Sequence, residues 1–450
     1  MGGVIALAWW SIKHPSTRSH EFARWGTCAP LRQSKTSKHH IVLGRFALSS
    51  WRATPSGLKA PADHSVLVVG PTQSGKTSSI VIPAITAWEG PVLVASVKDD
   101  VVVATSKLRR SRGEIGIVDP SRSHGIDSRR LDPVALVRDW DSAKRVGHAL
   151  TQANAEGTLS AESHFWTQMA AKTLSVLCFA SSQIGGDIAQ VLSWVQSRGT
   201  SEWVGLIEDS GHEAALSAAM ACAEREERQA ASISATIEAI VDPLVTEMKT
   251  SVLDPAALLG ASNTLYCCAP SYDQRRYRAL FALAVDEVLR AAFSRAQREG
   301  GRLKEPLLVV LDEAAAIAPL PELDVVAATC ASHGITLLSV FQDLAQIHAR
   351  WGLRAESIVN NHRTRVLLAG SSDPLVGSMA HQALGKRSGD EKESSFDIRT
   401  LKSHRGLVVS GSMKPVRLVL GKQPKIQDSV FVTVKRWITS RSVSILARPP

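Results

Sequence analysis

A chain of 450 residues with 44% hydrophobic and 21% charged residues is long enough for one large α/β domain with an insertion, or for two or three domains, and its composition excludes a disordered or fibrous chain. Aromatic residues make up only 5%, so an aliphatic core is expected, and the net charge of +10 fits either ordinary solubility or a polyanionic partner, nucleic acid or an anionic membrane surface. The six cysteines (Cys28, Cys178, Cys222, Cys267, Cys268 and Cys330) form no C-x-x-C pair and no Cys/His ligand set, which excludes a thiolate metal site or a disulfide framework and predicts a reducing, cytosolic setting.

Residues 1–60 read as a mixed N-terminal segment with a short strand at Ile41–Leu43. No window reaches the ~18–20 apolar residues of a membrane-spanning helix. The opening MGGVIALAWW (1–10) is apolar but too short and lacks the basic start of a signal peptide, so it reads as the stub of a longer hydrophobic, membrane-proximal region. From Ser65 short β-branched runs alternate with helical stretches. SVLVV (65–69) is expected as a strand, KTSSIVIPAITAW (76–88) as a helix kinked near Pro83, PVLVASV (91–97) as a second strand and EIGIVD (114–119) as a third. That alternation predicts a mostly parallel sheet covered on both faces.

The strand signal then lapses from about Val137 to Leu259, where Ala-rich helical patterns such as FWTQMAAKTLSVLCFA (165–180) predict an inserted all-α domain over 137–259. Strands resume at NTLYCCA (263–269), LLVVLD (307–312), ITLLSV (335–340) and TRVLLAG (364–370). The sheet domain thus spans 61–136 and 260–420, closed by the strands GLVVS (406–410) and KPVRLVL (414–420) after a polar loop at 386–395. A basic tail fills 421–450.

The segment GPTQSGKT (70–77) matches the full phosphate-loop pattern, between an apolar strand and a helix. Gly70 and Gly75 permit torsions and close approach that a Cβ forbids, so that the segment Gly70, Pro71, Thr72, Gln73, Ser74, Gly75, Lys76, Thr77 and Ser78 wraps a nucleotide's phosphates with successive N–H groups pointing inward. Lys76 is expected to reach the β- and γ-phosphates of ATP and the Thr77 hydroxyl to ligate Mg²⁺. LLVVLDE (307–313) then supplies Asp312 as the second Mg²⁺ partner and Glu313 as the base that polarises water; acids at a strand-to-helix turn can also be simple caps. After the next strand, Gln342 is placed to contact the γ-phosphate, with helix initiation by Asp343 as the plainer alternative.

Taken in order, VLVVGPTQSGKTSSIVIPAI (66–85), PVLVASVKDD (91–100), IVDPS (117–121), HFWTQMAAKTL (164–174), NTLYCCAP (263–270), LLVVLDEAAAIAPLPEL (307–323), SVFQDLAQI (339–347) and NHRTRVLLAG (361–370) resemble the TraG/TraD-type coupling proteins, the ATPases of conjugative DNA transfer and type IV secretion. The resemblance covers about residues 40–420. It implies a RecA-like motor with an all-α domain facing the substrate or its relaxosome, assembled as a homo-hexamer at the cytoplasmic face of the membrane. It further implies DNA as cargo, single-stranded in conjugation, with relaxase or effector proteins and the secretion channel as partners. In such a ring a neighbour's arginine completes the site, and Arg275, Arg276, Arg278, Arg363 and Arg365 are the candidates. Two departures stand out: the transmembrane helices usual at the family's N-terminus are missing here, and the tail after Gly421 does not resemble a family ending. Two other functions share these motifs: a double-stranded DNA pump of the chromosome-segregation kind, and a docking receptor that uses nucleotide only as a switch.

Overall fold

A computed structural model describes residues 31, 39–48, 50–97, 99–121, 128–154, 161–197, 199–245, 252–270, 272–384, 397–411 and 413–421. Cys28, the opening decapeptide, the 386–395 loop and the basic tail after Gly421 lie outside these residues. The chain enters through β1 (Val42–Ala47) and β2 (Ala53–Lys59), an antiparallel pair. The strand expected at Ile41–Leu43 is therefore longer, and β2 was not foreseen because ATPSGLK carries Pro and Gly and no apolar alternation. Such a sequence is tolerated at a sheet edge, which is where β2 lies.

β3 (Val66–Val69) leads into a π turn at Thr77–Val81 and then α1 (Ile82–Ala87). The Ile82 N–H donates to the Thr77 carbonyl, one residue farther back than in an α-helix, and Pro83 follows in the first turn of α1. Proline has no N–H to return to Ser79, so the expected kink is realised as this wider turn. β4 (Val92–Ser96), α2 (Asp99–Arg110) and β5 (Ile115–Val118) complete the first half.

Between β5 and the next strand the described residues form six α-helices: α3 (Trp140–Asn154), α4 (Ala161–Gln183), α5 (Ile188–Ser197), α6 (Thr200–Asp209), α7 (Glu213–Ala223) and α8 (Glu227–Val241). α8 stops at Asp242-Pro243, where the ring would clash with the preceding turn. The sheet resumes with β6 (Thr264–Cys268), the long α9 (Gln274–Arg298), β7 (Leu307–Asp312), α10 (Ala314–Ile317), α11 (Leu323–Thr329) and β8 (Ile335–Phe341). α12 (Ala345–Trp351), α13 (Ala355–Asn361), β9 (Thr364–Leu368), α14 (Pro374–Leu384), β10 (Arg405–Ser410) and β11 (Val416–Val419) follow.

All strands join one sheet in the order β2-β1-β11-β10-β9-β3-β8-β7-β4-β6-β5. From β9 to β5 every pairing is parallel, and from β9 back to β2 every pairing is antiparallel. Both faces are buried, which is why the parallel strands read as unbroken apolar runs rather than alternating ones. On one face Val66, Val68, Val92, Val94, Leu308 and Val310 pack with Ile85, Trp88 and Val101. On the other, Leu67, Val69, Leu93, Leu307 and Val309 join a core that continues through α9 into Trp140, Leu174, Trp194 and Ile237 of the helical segment. The helices are thus held to the sheet by shared apolar packing.

The aliphatic core expected from composition is present, and Cys178, Cys222, Cys267, Cys268 and Cys330 are buried within it. Burial pushes the Cys267 and Cys330 thiols up to about 12, so they behave as small apolar groups. Among the described residues no helix is long and apolar enough to cross a membrane.

Candidate nucleotide site

The loop after β3 lies where the parallel strands end, the edge at which open α/β sheets place their ligands. Gly70 donates its N–H to the Phe341 carbonyl at 3.3 Å, fixing the loop to β8. A Cβ on Gly70 would fall 2.7 Å from the Leu368 Cβ and 3.0 Å from the Ser74 hydroxyl, so only glycine fits. Gly75 takes φ +91° and Gln73 φ +60°, the turns that aim successive N–H groups inward. The Lys76 ammonium, buried at the loop's centre, donates to the carbonyls of Gly70 and Pro71, the latter at 2.7 Å. Ser74 is buried, and its hydroxyl has no hydrogen-bond partner among the described residues.

Asp312 closes the other side. The Thr77 hydroxyl donates to its carboxylate at 3.1 Å, and the Ser96 hydroxyl donates to the same oxygen at 3.1 Å. The second contact follows from strand register, since β4 and β7 are in parallel register with Ser96 opposite Asp312. Ser96 was not singled out from sequence. Its only local signal is a hydroxyl at the end of an apolar strand.

Glu313 follows in the left-handed region, φ +67° and ψ +53°, a conformation that costs a non-glycine residue about 1 kcal/mol or more. Asp312 meets the Thr77 and Ser96 hydroxyls, whereas Glu313 lines a neighbouring cleft. Gln342, just past β8, lines the same cleft of about 350 Å³ as Glu313. Asp343 accepts from the Gln346 N–H at 2.7 Å, so the helix-capping role falls to Asp343 and leaves Gln342 facing the cleft.

The five arginines separate. Arg275 and Arg278 line the cleft with Glu313 and Gln342, while Arg276 is exposed and lies over the Tyr277 ring, 5.5 Å from its centroid. Arg363 precedes β9, and Arg365 stands opposite Leu67 in β3. Both belong to the end of the sheet where the parallel strands begin, opposite the end that carries the loop. Burial pulls the Arg365 guanidinium below its ordinary pKa.

The closing strands furnish a further wall that sequence reading did not assign. A Cβ on Gly75 would sit 3.2 Å from Leu420 and 3.6 Å from the His404 ring, and the Ser79 hydroxyl donates to the Gly421 carbonyl at 3.0 Å.

These residues fit a magnesium nucleotide. The unpartnered Ser74 hydroxyl and the glycine cradle suit phosphate oxygens, and the Thr77 hydroxyl and Asp312 carboxylate are hard oxygen donors of the kind Mg²⁺ takes.

Comparison with known proteins places the chain in a family. The conjugal transfer protein TraG of Escherichia coli is 24% identical over 373 residues, 74% of this chain and 58% of that protein. VirD4 of Rhizobium rhizogenes is 27% identical over 165 residues, 34% of this chain and 24% of its own length. The chain therefore spans little more than half the length of TraG. Among solved structures, the bacterial conjugative coupling protein TrwBdeltaN70 superposes with a TM-score of 0.66 at 17% identity, covering 88% of this chain and 92% of that one. TrwB in complex with ADP and Mg²⁺ superposes with a TM-score of 0.64, covering 87% and 97%. At this identity the likeness establishes the RecA-like fold. Residues 31–406 match the profile of the family described as type IV secretory system conjugative DNA transfer, and the chain belongs to that family.

Proposed function

We propose that this chain binds ATP with Mg²⁺ and hydrolyses it to move DNA, single-stranded during transfer, toward a type IV secretion channel. The observation that carries this reading is the junction of Thr77 and Ser96 on Asp312, with Lys76, Glu313 and Gln342 at the same end of the sheet. In this reading the loop N–H groups and the Ser74 hydroxyl hold the β-phosphate. Lys76 leaves the Gly70 and Pro71 carbonyls for the β- and γ-phosphate oxygens, exchanging neutral acceptors for charged ones. Thr77 and Asp312 hold Mg²⁺, which supplies charge neutralisation on those phosphates when bound. Glu313 orients a water and accepts its proton, and Gln342 contacts the γ-phosphate.

The same proposal extends to assembly. The segment 137–259 acts as the all-α domain that faces DNA, the relaxosome or effector proteins, and the motor works as a homo-hexamer at the cytoplasmic face of the membrane. Arg275, exposed and lining the cleft that holds Glu313, is placed to meet phosphoryl charge within its own chain, while Arg363 and Arg365, at the opposite end of the sheet, are the candidates for a neighbour's site. TrwB, whose fold this chain shares, has been captured with ADP and Mg²⁺ and with a non-hydrolysable ATP analogue, which supports the ligand class.

The test is the ATPase rate with and without single-stranded DNA, on samples sized by light scattering. Stimulation by DNA and its loss in Lys76→Ala are expected. Tight ATP binding with no turnover, even with DNA present, would favour the switch receptor, and stimulation by duplex alone the double-stranded pump.

A further inference from the structure

The cleft beside Glu313 and Gln342 is also where the helical segment meets the catalytic elements, and two arginines make the junction. Arg350, in the last turn of α12, donates from Nη2 to the carbonyls of Gln152 at 3.1 Å and Ala153 at 2.8 Å. Arg278, in the second turn of α9, donates from Nη2 to the Asn154 carbonyl at 2.9 Å and from Nε to the Asn154 Oδ1 at 3.0 Å. The three carbonyls are consecutive and belong to the final turn of α3, where helical donors run out and the negative end of the helix dipole gathers. Two guanidiniums therefore grip the end of α3 by charge-assisted hydrogen bonds.

Simple C-terminal capping would need neither arginine to come from the catalytic elements, yet both do. Arg278 and Arg350 line the cleft together with Glu313 and Gln342. α12 begins three residues after Gln342, and its first turn is tied back to that residue. Asp343 accepts from the Gln346 N–H, and the Gln346 Oε1 accepts from the Gln342 N–H at 3.4 Å. One short helix thus carries Gln342 at its start and Arg350 at its end. At its other end α3 belongs to the helical bundle, where Trp140 packs edge-on against Phe179 with ring centroids 5.5 Å apart.

We propose that Arg350 and Arg278 form a latch through which the position of α3 sets Gln342 and the cleft around Glu313, so that nucleotide state and the helical segment inform each other. They are positioning residues. The inference rests on the reading that the Gly70–Thr77 loop binds nucleotide. Because coupling free energies are reciprocal, nucleotide at the loop should alter α3 as surely as cargo on the helices should alter turnover.

Hydrogen exchange read by mass spectrometry on the full chain, with and without a non-hydrolysable ATP analogue and Mg²⁺, tests this without any cargo. In the wild type the analogue should slow exchange across 77–87 and, by about fivefold or more, in the last turn of α3. The double variant Arg278→Lys/Arg350→Lys keeps both charges, but a lysine cannot present the guanidinium's fixed fork to paired acceptors. It should retain the protection at 77–87 and lose the response in α3. Should the double variant not fold, Arg350→Lys alone is read the same way. An α3 response equal in variant and wild type, or none in the wild type while 77–87 is protected, overturns the latch. Absence of protection at 77–87 in the wild type overturns the nucleotide reading, and the latch with it.

Discussion

The Thr77 hydroxyl and the Asp312 carboxylate meet at 3.1 Å, joining the first residue after the phosphate loop's lysine to the last residue of β7. Ser96 holds the same carboxylate from the neighbouring strand, so Asp312 is oriented by both hydroxyls toward the proposed ion site. Removing that support should weaken the ion site without touching the loop. Ser96→Ala is expected to lower Mg²⁺ affinity in the presence of ATP roughly 10- to 100-fold. Thr77→Ala should lower it at least as far, since it removes a proposed ligand. Calorimetric titration of Mg²⁺ into the protein–nucleotide mixture reads both.

Glu313→Gln keeps the size and backbone of the side chain but not its basicity. Turnover should fall about 10²- to 10⁴-fold while ATP affinity stays within a few-fold. Glu313→Gly should also be inactive, yet more stable by about 1 kcal/mol, because the left-handed backbone no longer crowds a Cβ. Single-turnover kinetics and chemical denaturation of the two variants separate chemistry from strain.

Arg109 is fully buried and donates to the carbonyls of Trp88, Gly90 and Ser262 and to the Thr264 hydroxyl. Those acceptors lie at the N-terminal ends of β4 and β6, and no acid offsets the charge among these contacts. Burial pulls this guanidinium down to about 10, which still leaves it charged at neutral pH. Arg109→Ala would leave several buried carbonyls without donors, at a cost of about 3 kcal/mol or more. Urea unfolding should show the loss, with little effect on ATP affinity in the protein that remains folded.

His362 gives the chain a pH dependence of its own. Its Nδ1 donates to the Ile358 carbonyl at 2.7 Å, and its Nε2 accepts from the Ser339 hydroxyl at 2.9 Å. Burial is the main cause that lowers its pKa to about 4, and Arg365 adds to the effect. The unfolded chain takes up this proton near pH 6.5 and the folded chain only near 4, so stability is lost as pH falls across that interval. The loss from this group amounts to about 3 kcal/mol. Melting curves of wild type and His362→Asn between pH 7 and pH 4 should converge toward the acid end as the wild type's advantage disappears.

What could be read from the sequence was local in the chain. The run Val66–Val69, the loop to Thr77 and the pair Asp312-Glu313 announce themselves because strand, turn and helix signals abut. The parallel sheet followed from unbroken apolar strands, and the helical segment from the loss of strand signal from about Val137 to Leu259. Ser96 escaped because its role depends on the register of β4 against β7, which no local pattern encodes. Arg278 was one of five arginines offered for completing a neighbour's site, and its bonds to Asn154 of the same chain could not be foreseen because they depend on where α3 ends in space. The wall formed by His404 and Leu420 arises from strands that pair far from the loop in sequence. Edge strand β2 was invisible for a different reason: an edge needs no apolar face.

The strand that carries the phosphate loop has its neighbours late in the chain. β3 pairs with β8 on one side and β9 on the other, Val66 standing opposite Leu338 and Thr364. During synthesis this strand leaves the ribosome early, with both hydrogen-bonding edges open and a nucleotide loop that has no Asp312 to face. It must wait for most of the described chain before it has a partner. Such long-range pairing makes folding slow and leaves apolar backbone exposed to aggregation. A nascent chain halted anywhere in the helical segment should therefore be unable to hold nucleotide, and it would depend on chaperones to keep β3 from pairing with another copy.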